Sequence, residues 1–124
     1  MNQVDILIAD DEPHIVRALS FIFQREGLKV EMASDGEEAV DKFRQFAPRI
    51  IFLDMIMPRM DGVTACRTIK DDASVPAPYV IFLTCKGQDT DRENCLKAGA
   101  DDFINKPFSP RDVLEKVRSL LRTA

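Results

Sequence analysis

The sequence predicts an α/β fold in which a parallel sheet of five strands is covered by helices on both faces. Three observations predict it. Short apolar runs rich in Ile, Val and Phe recur along the chain, each of strand length. Longer stretches with helical spacing lie between them. Turn-forming and capping residues fall at the junctions, and such alternation is the signature of βα units.

The elements follow in order. Val4–Ala9 is the first strand, and Pro13–Glu26 the first helix, with Pro13 suited to an opening turn and Ile15, Leu19, Ile22 and Phe23 on one face. Gly27 suits the helix end, before a second strand at Leu28–Ala33. Ala39, Val40 and Phe43 mark the inward stripe of the helix Glu37–Phe46. A third strand, Arg49–Leu53, leads to a helix at Asp61–Lys70, and a fourth, Tyr79–Thr84, to one at Asp91–Ala98, the most polar of the set. Gly99 suits its end. The last strand is Asp102–Asn105. Ser109-Pro110 then caps and opens the helix Pro110–Leu121, whose stripe is Val113, Val117, Leu120 and Leu121. Right-handed crossovers between five such units leave the flavodoxin-like strand order 2-1-3-4-5, a (βα)5 three-layer sandwich spanning residues 1–124 as one domain. No linker, repeat or low-complexity segment interrupts it.

Composition narrows the function. The chain has 124 residues, 45% hydrophobic and 31% charged, the make-up of an ordinary globular protein with one core. No apolar run approaches the ~20 residues that cross a bilayer. The polar Met1-Asn2-Gln3 start lacks the pattern of a secretory signal. Cys66, Cys85 and Cys95 form no CxxC, so the expectation is reduced thiols in a cytoplasmic protein. A net charge of −4 argues against nucleic acid as the direct partner. Neither GxGxxG nor GxxxxGK[ST] appears, which disfavours nucleotide binding.

The polar residues fall where this fold binds ligands, outside the carboxyl ends of the strands. Asp10 and Asp11 follow the first strand, Asp54 the third, Thr84 ends the fourth and Lys106 follows the fifth. Strands one and three are neighbours in the predicted order, so three carboxylates converge. Two unit charges 4 Å apart repel by ~4 kcal/mol at an effective dielectric of ~20. Such a group needs a divalent cation or a raised pKa. Carboxylate oxygens without His or Cys suit Mg²⁺ and not zinc. A carboxylate can also accept a phosphoryl group covalently. Asp54 then stands as acceptor, with the acid pair to hold metal and Lys106 and Thr84 to receive phosphoryl oxygens.

Four motifs in order, "LIADDEP", "FLDMIMPRMDG", "FLTCKG" and "AGADDFINKPF", resemble the receiver domain of two-component response regulators over essentially the whole chain. The resemblance implies that Asp54 accepts phosphate from a phosphohistidine on a sensor histidine kinase or histidine phosphotransfer protein. It implies a Mg²⁺ ion with Asp11, Asp54 and the backbone carbonyl of Ile56 as ligands and Asp10 acting through water. Thr84 would hydrogen-bond the phosphoryl group, Lys106 would pair with it, and the Lys106–Pro107 bond would be cis. Phosphorylation would draw the Thr84 hydroxyl toward the phosphate and turn Phe103 inward. The face formed by helix four, strand five and helix five would then change, reaching a downstream effector or a fused output domain and allowing a phosphorylation-dependent dimer. Dimerisation, and whether the chain continues past Ala124, stay open here.

Three positions depart from the commonest family pattern. Phe103 replaces a frequent tyrosine, so burying the ring leaves no hydroxyl to satisfy, and its inward setting is expected without phosphate. Cys85 stands where a smaller residue is usual and would narrow access to Asp54. Ile56 puts an apolar side chain at the pocket mouth. Together they predict a phosphoaspartate that water reaches slowly.

Read singly, most of these residues are ordinary. Asp10-Asp11 would be a turn before a helix N-terminus, Thr84 a strand residue and Lys106 a solvated lysine; only their combined placement gives them weight. His14 reads as an exposed first-turn residue, Cys66 and Cys95 as partly buried helix residues, and Met55, Met57 and Met60 as loop packing. Phe21, off the inward stripe, is either a lone exposed aromatic or a contact for kinase or phosphotransfer helices. The leading expectation is a signalling switch that catalyses only its own aspartyl phosphorylation and dephosphorylation. The rivals are a phosphate-independent interaction module, and an aspartyl-nucleophile phosphatase, which would want an acid where Ile56 stands.

Overall fold

The computed structural model describes residues 3–85 and 89–122, the side chains of residues 85 and 89–91 excepted. Five strands, β1 (Ile6–Ala9), β2 (Val30–Ala33), β3 (Ile50–Asp54), β4 (Tyr79–Cys85) and β5 (Asp102–Lys106), alternate with five helices. These are α1 (Pro13–Arg25), α2 (Gly36–Phe46), α3 (Gly62–Asp71), α4 (Asp89–Lys97) and α5 (Pro110–Arg122). Every neighbouring strand pair is parallel, in the order β2-β1-β3-β4-β5, so the flavodoxin-like fold holds.

Alternation along each strand divides the core into two layers. Leu7, Ile51, Leu53, Val80 and Phe82 pack with Val40, Phe43, Ile69 and Cys95 beneath α2, α3 and α4. Ile6, Ile8, Phe52, Ile81 and Leu83 pack with Leu19, Phe23, Val113 and Val117 beneath α1 and α5. Phe23 and Phe52 stack with centroids 5.7 Å apart.

The boundaries differ from the expected ones for identifiable reasons. Val4 is buried, but its N–H pairs with the Phe46 carbonyl and not with a strand. Leu28 donates to the Phe23 carbonyl, still finishing α1, and β2 begins only at Val30. α2 starts at Gly36 because Asp35 caps it, accepting from the Glu38 N–H at 2.8 Å. α4 begins at Asp89, two residues before the expected start. α1 buries Val16, Leu19, Ser20 and Phe23, while Ile15 and Ile22 are half-buried, so its inward stripe is turned from the expected one. Cys66 and Cys95 are fully buried, deeper than expected, because they face the layer beneath α3 and α4. Gly27 and Gly99 have φ of 81° and 106°, as helix ends of this kind require.

Candidate functional site

The carboxyl ends of β1, β3 and β5 carry the site. Within the strands, Ile6 and Ile8, Ile50 and Phe52, and Ile104 all belong to the α1/α5 layer. Continuing the alternation, Asp10, Asp54 and Lys106 point to that same side at the rim. The contacts agree: Lys106 Nζ lies 2.9 Å from Asp10 Oδ2, 3.6 Å from Asp54 Oδ1 and 2.8 Å from Glu12 Oε1. Asp10 is 1% exposed, and its Oδ1 accepts the Glu12 N–H at 2.9 Å, tying the acid to the start of α1.

Burial, together with the charges of Asp10 and Asp11 and a side-chain hydrogen bond with Asp11, raises the Asp54 carboxyl to about 7, against the opposing pull of Lys106. Asp10 and Asp54 thus face the same ammonium, while Asp11 touches the group only through Asp54. Burial by itself would lower the Lys106 ammonium. Its hydrogen bonds to Glu12 and Asp10 and the charge of Asp54 outweigh this and hold it above the usual lysine value. The Lys106 hydrogen bond in turn holds Glu12 below the usual carboxylate range.

The loop after β3 is locked by glycine. A Cβ on Gly62 would stand 2.1 Å from the Asp54 carbonyl oxygen, and one on Gly36 2.1 Å from that of Met60. The Gly62 N–H donates to the Met55 carbonyl at 2.9 Å. Asp61 caps α3, its side chain accepting from the Thr64 N–H at 2.7 Å. Met55 and Met57 are buried and Met60 packs against the core, as loop packing predicts. Ile56 is 70% exposed.

A hard dication suits this donor set. Asp10, Glu12 and Asp54 each bring a carboxylate oxygen within 4.8 Å of the others'. Asp10 Oδ2 is buried, and the charge facing it is the Lys106 ammonium at 2.9 Å. Oxygen donors of this kind suit Mg²⁺. Asp11, expected as a direct ligand, is exposed and outside that trio, and meets the group through Asp54. Glu12 was assigned no role from the sequence, although it stands in the quoted "LIADDEP".

Thr84 and Phe103 belong to the other layer. Thr84 is 5% exposed, and its hydroxyl donates to Asn105 Oδ1 at 3.0 Å. Phe103 is half-buried, stacked on Phe82 with centroids 6.3 Å apart and covered by the Arg92 guanidinium 4.7 Å from its ring. The fully exposed ring that would count against an inward setting is not seen. The Cys85 side chain lies outside the described residues, so its expected narrowing of the pocket does too. The Lys106–Pro107 bond is cis. His14 is exposed, 3.7 Å from Glu12, and Phe21 is 61% exposed.

The family profile for the response regulator receiver domain matches residues 6–118. The chain belongs to that family. This receiver domain is 41% identical over 123 residues to the transcriptional regulatory protein ResD of Bacillus subtilis, an alignment covering 99% of this chain and 50% of ResD. The chain thus spans about half the length of the curated relatives it matches. Among solved structures it resembles the signal receiver domain of a signal transduction histidine kinase from Syntrophus aciditrophicus, with TM-score 0.87 and 34% identity over 98% of this chain and 92% of that one. It also resembles the receiver domain of NtrX from Brucella abortus, with TM-score 0.85 and 30% identity over 97% of this chain and all (100%) of that one. Receiver domains are signalling modules of two-component systems and not conventional enzymes; they interact with histidine kinases and output effectors. Among the described residues no helix is long and apolar enough to cross a membrane.

Proposed function

We propose that this receiver domain is a phosphorylation-driven switch whose phosphoacceptor is Asp54. One observation carries the reading: a single ammonium, Lys106, reaches the buried Asp10 together with Glu12 and Asp54 at the end of the sheet. An Asp54 oxygen attacks the phosphorus of a phosphohistidine on a kinase or phosphotransfer protein. The new O–P bond replaces the N–P bond, and the departing imidazole takes up a proton. Asp11, Asp54 and the Ile56 carbonyl would hold Mg²⁺, with Asp10 acting through water, and the ion would supply positive charge for the phosphoryl oxygens. Lys106 balances the added charge from the protein side, and the buried pocket makes that attraction stronger than it would be in water. Thr84 donates its hydroxyl to the phosphoryl group, Phe103 moves into the space it leaves, and the α4–β5–α5 face reports the change. That face would meet an effector, an output domain or a second copy. No membrane or nucleic acid is expected at the domain itself, and the cytoplasm is its expected compartment.

A small acyl-phosphate donor with Mg²⁺ tests the reading. Incorporation of one phosphoryl group at Asp54, lost in Asp54→Ala, is the expected result. Multiple turnover of a phosphomonoester would favour the aspartyl phosphatase instead, and no incorporation would leave the phosphate-independent module.

A further inference from the structure

We propose that Asn105 is a positioning residue that holds the Thr84 hydroxyl in the resting protein and releases it when Asp54 is loaded. The inference rests on the switch reading above. Thr84 and Asn105 are register partners on β4 and β5, so their side chains lie side by side on the α2–α4 face. The Thr84 hydroxyl donates to Asn105 Oδ1 at 3.0 Å. A threonine hydroxyl carries one proton and can make one donated bond. It therefore serves either Asn105 or an oxygen on Asp54, and the two states exclude each other. Asp54 itself points to the opposite side of the sheet, so the hydroxyl must swing over the strand ends to reach it.

The neighbours give the contact leverage. Phe103 stands two residues before Asn105 on the same face, stacked on Phe82, which stands two before Thr84. Lys106, next to Asn105, is engaged by Asp10 and Glu12. The end of β5 therefore carries, on consecutive residues, one contact restraining the hydroxyl and another engaging the ammonium. Removing the Asn105 acceptor lowers the cost of the loaded state by one neutral hydrogen bond and leaves the carboxylates untouched.

The test uses the whole chain with Asn105→Ala, which deletes the acceptor, and Asn105→Asp, which can accept but not donate. In metal-free protein, Thr84 side-chain three-bond couplings measured by NMR should report one rotamer in the wild type, averaging in Asn105→Ala, and recovery in Asn105→Asp. With Mg²⁺ fixed, half-saturation by beryllofluoride, an acyl-phosphate mimic, should fall about three- to tenfold in Asn105→Ala, the range one such hydrogen bond spans. Mg²⁺ affinity should not change, since Asn105 is outside the acid cluster. An unaltered Thr84 rotamer and half-saturation in Asn105→Ala, no recovery in Asn105→Asp, or a matching change in Mg²⁺ affinity would each overturn the proposal. A wild type that never binds beryllofluoride would count against the switch reading alone; the metal-free rotamer measurement would still decide the Asn105 contact.

Discussion

Replacing Asp54 by Asn in the metal-free protein should stabilise it, and the gain should depend on pH in a definite sense. The Asp54 carboxyl is raised from 3.8 to about 7, with burial the leading cause. A carboxyl raised on folding binds its proton more tightly in the native than in the unfolded chain. Stability therefore falls as pH rises between these two values and is level above the upper one. A rise of about 3 in pKa at ~1.4 kcal/mol each sets a ceiling of about 4 kcal/mol on the native-state penalty at pH 8, and solvent at the pocket mouth screens part of it. Asn has no charge to bury, and Lys106 keeps Asp10 and Glu12 as partners. Urea unfolding in a chelating buffer from pH 4 to 8 should show matching midpoints for the two proteins at the acid end. The gap should open through pH 5–6 and reach its full size above 7. Mg²⁺, which binds the ionised form, should narrow it. An Asp54→Asn protein no more stable than wild type at pH 8 would refute the electrostatic reasoning.

Further outcomes follow from the same geometry. Gly62→Ala should cost about 3 kcal/mol in urea unfolding, since its Cβ would meet the Asp54 carbonyl at 2.1 Å and the loop must move. Phe21→Ala should change stability by less than ~0.5 kcal/mol, yet slow phosphotransfer from the cognate donor about tenfold, as loss of an interface anchor does; an unchanged rate would make Phe21 a bystander. Cys66, fully buried with burial pushing its thiol up to about 12, should resist a thiol reagent at pH 8 until the protein unfolds, as mass spectrometry would record. The phosphoaspartate should outlast seconds, and Ile56→Ala or Cys85→Ala should shorten its life; a lifetime of seconds indifferent to both would remove their shielding role.

What the sequence revealed, and what it withheld, follows from the range of the interactions. β3 and β4 read directly because an unbroken apolar run is what a strand buried on both faces needs. The placement of Asp54, Thr84 and Lys106 was legible because strand ends in this topology share a rim. α1 misled because Ile15, Val16, Ala18, Leu19, Phe21, Ile22 and Phe23 are apolar nearly all round, so spacing could not choose between its faces. Glu12 and Asn105 stayed hidden for a different reason. The Glu12 carboxylate meets a lysine 94 residues away and the Asn105 amide a threonine 21 residues away, and no local pattern encodes such a pairing.

The alternation that splits the core also sorts the labour. Asp10, Asp54 and Lys106 hang on one side of the sheet, while Thr84, Asn105 and Phe103 hang on the other. The sheet is thus a partition with a single doorway at its upper edge. Chemistry done on the α1 side can reach the α4 side only where the strands stop, and one threonine hydroxyl stands on that threshold.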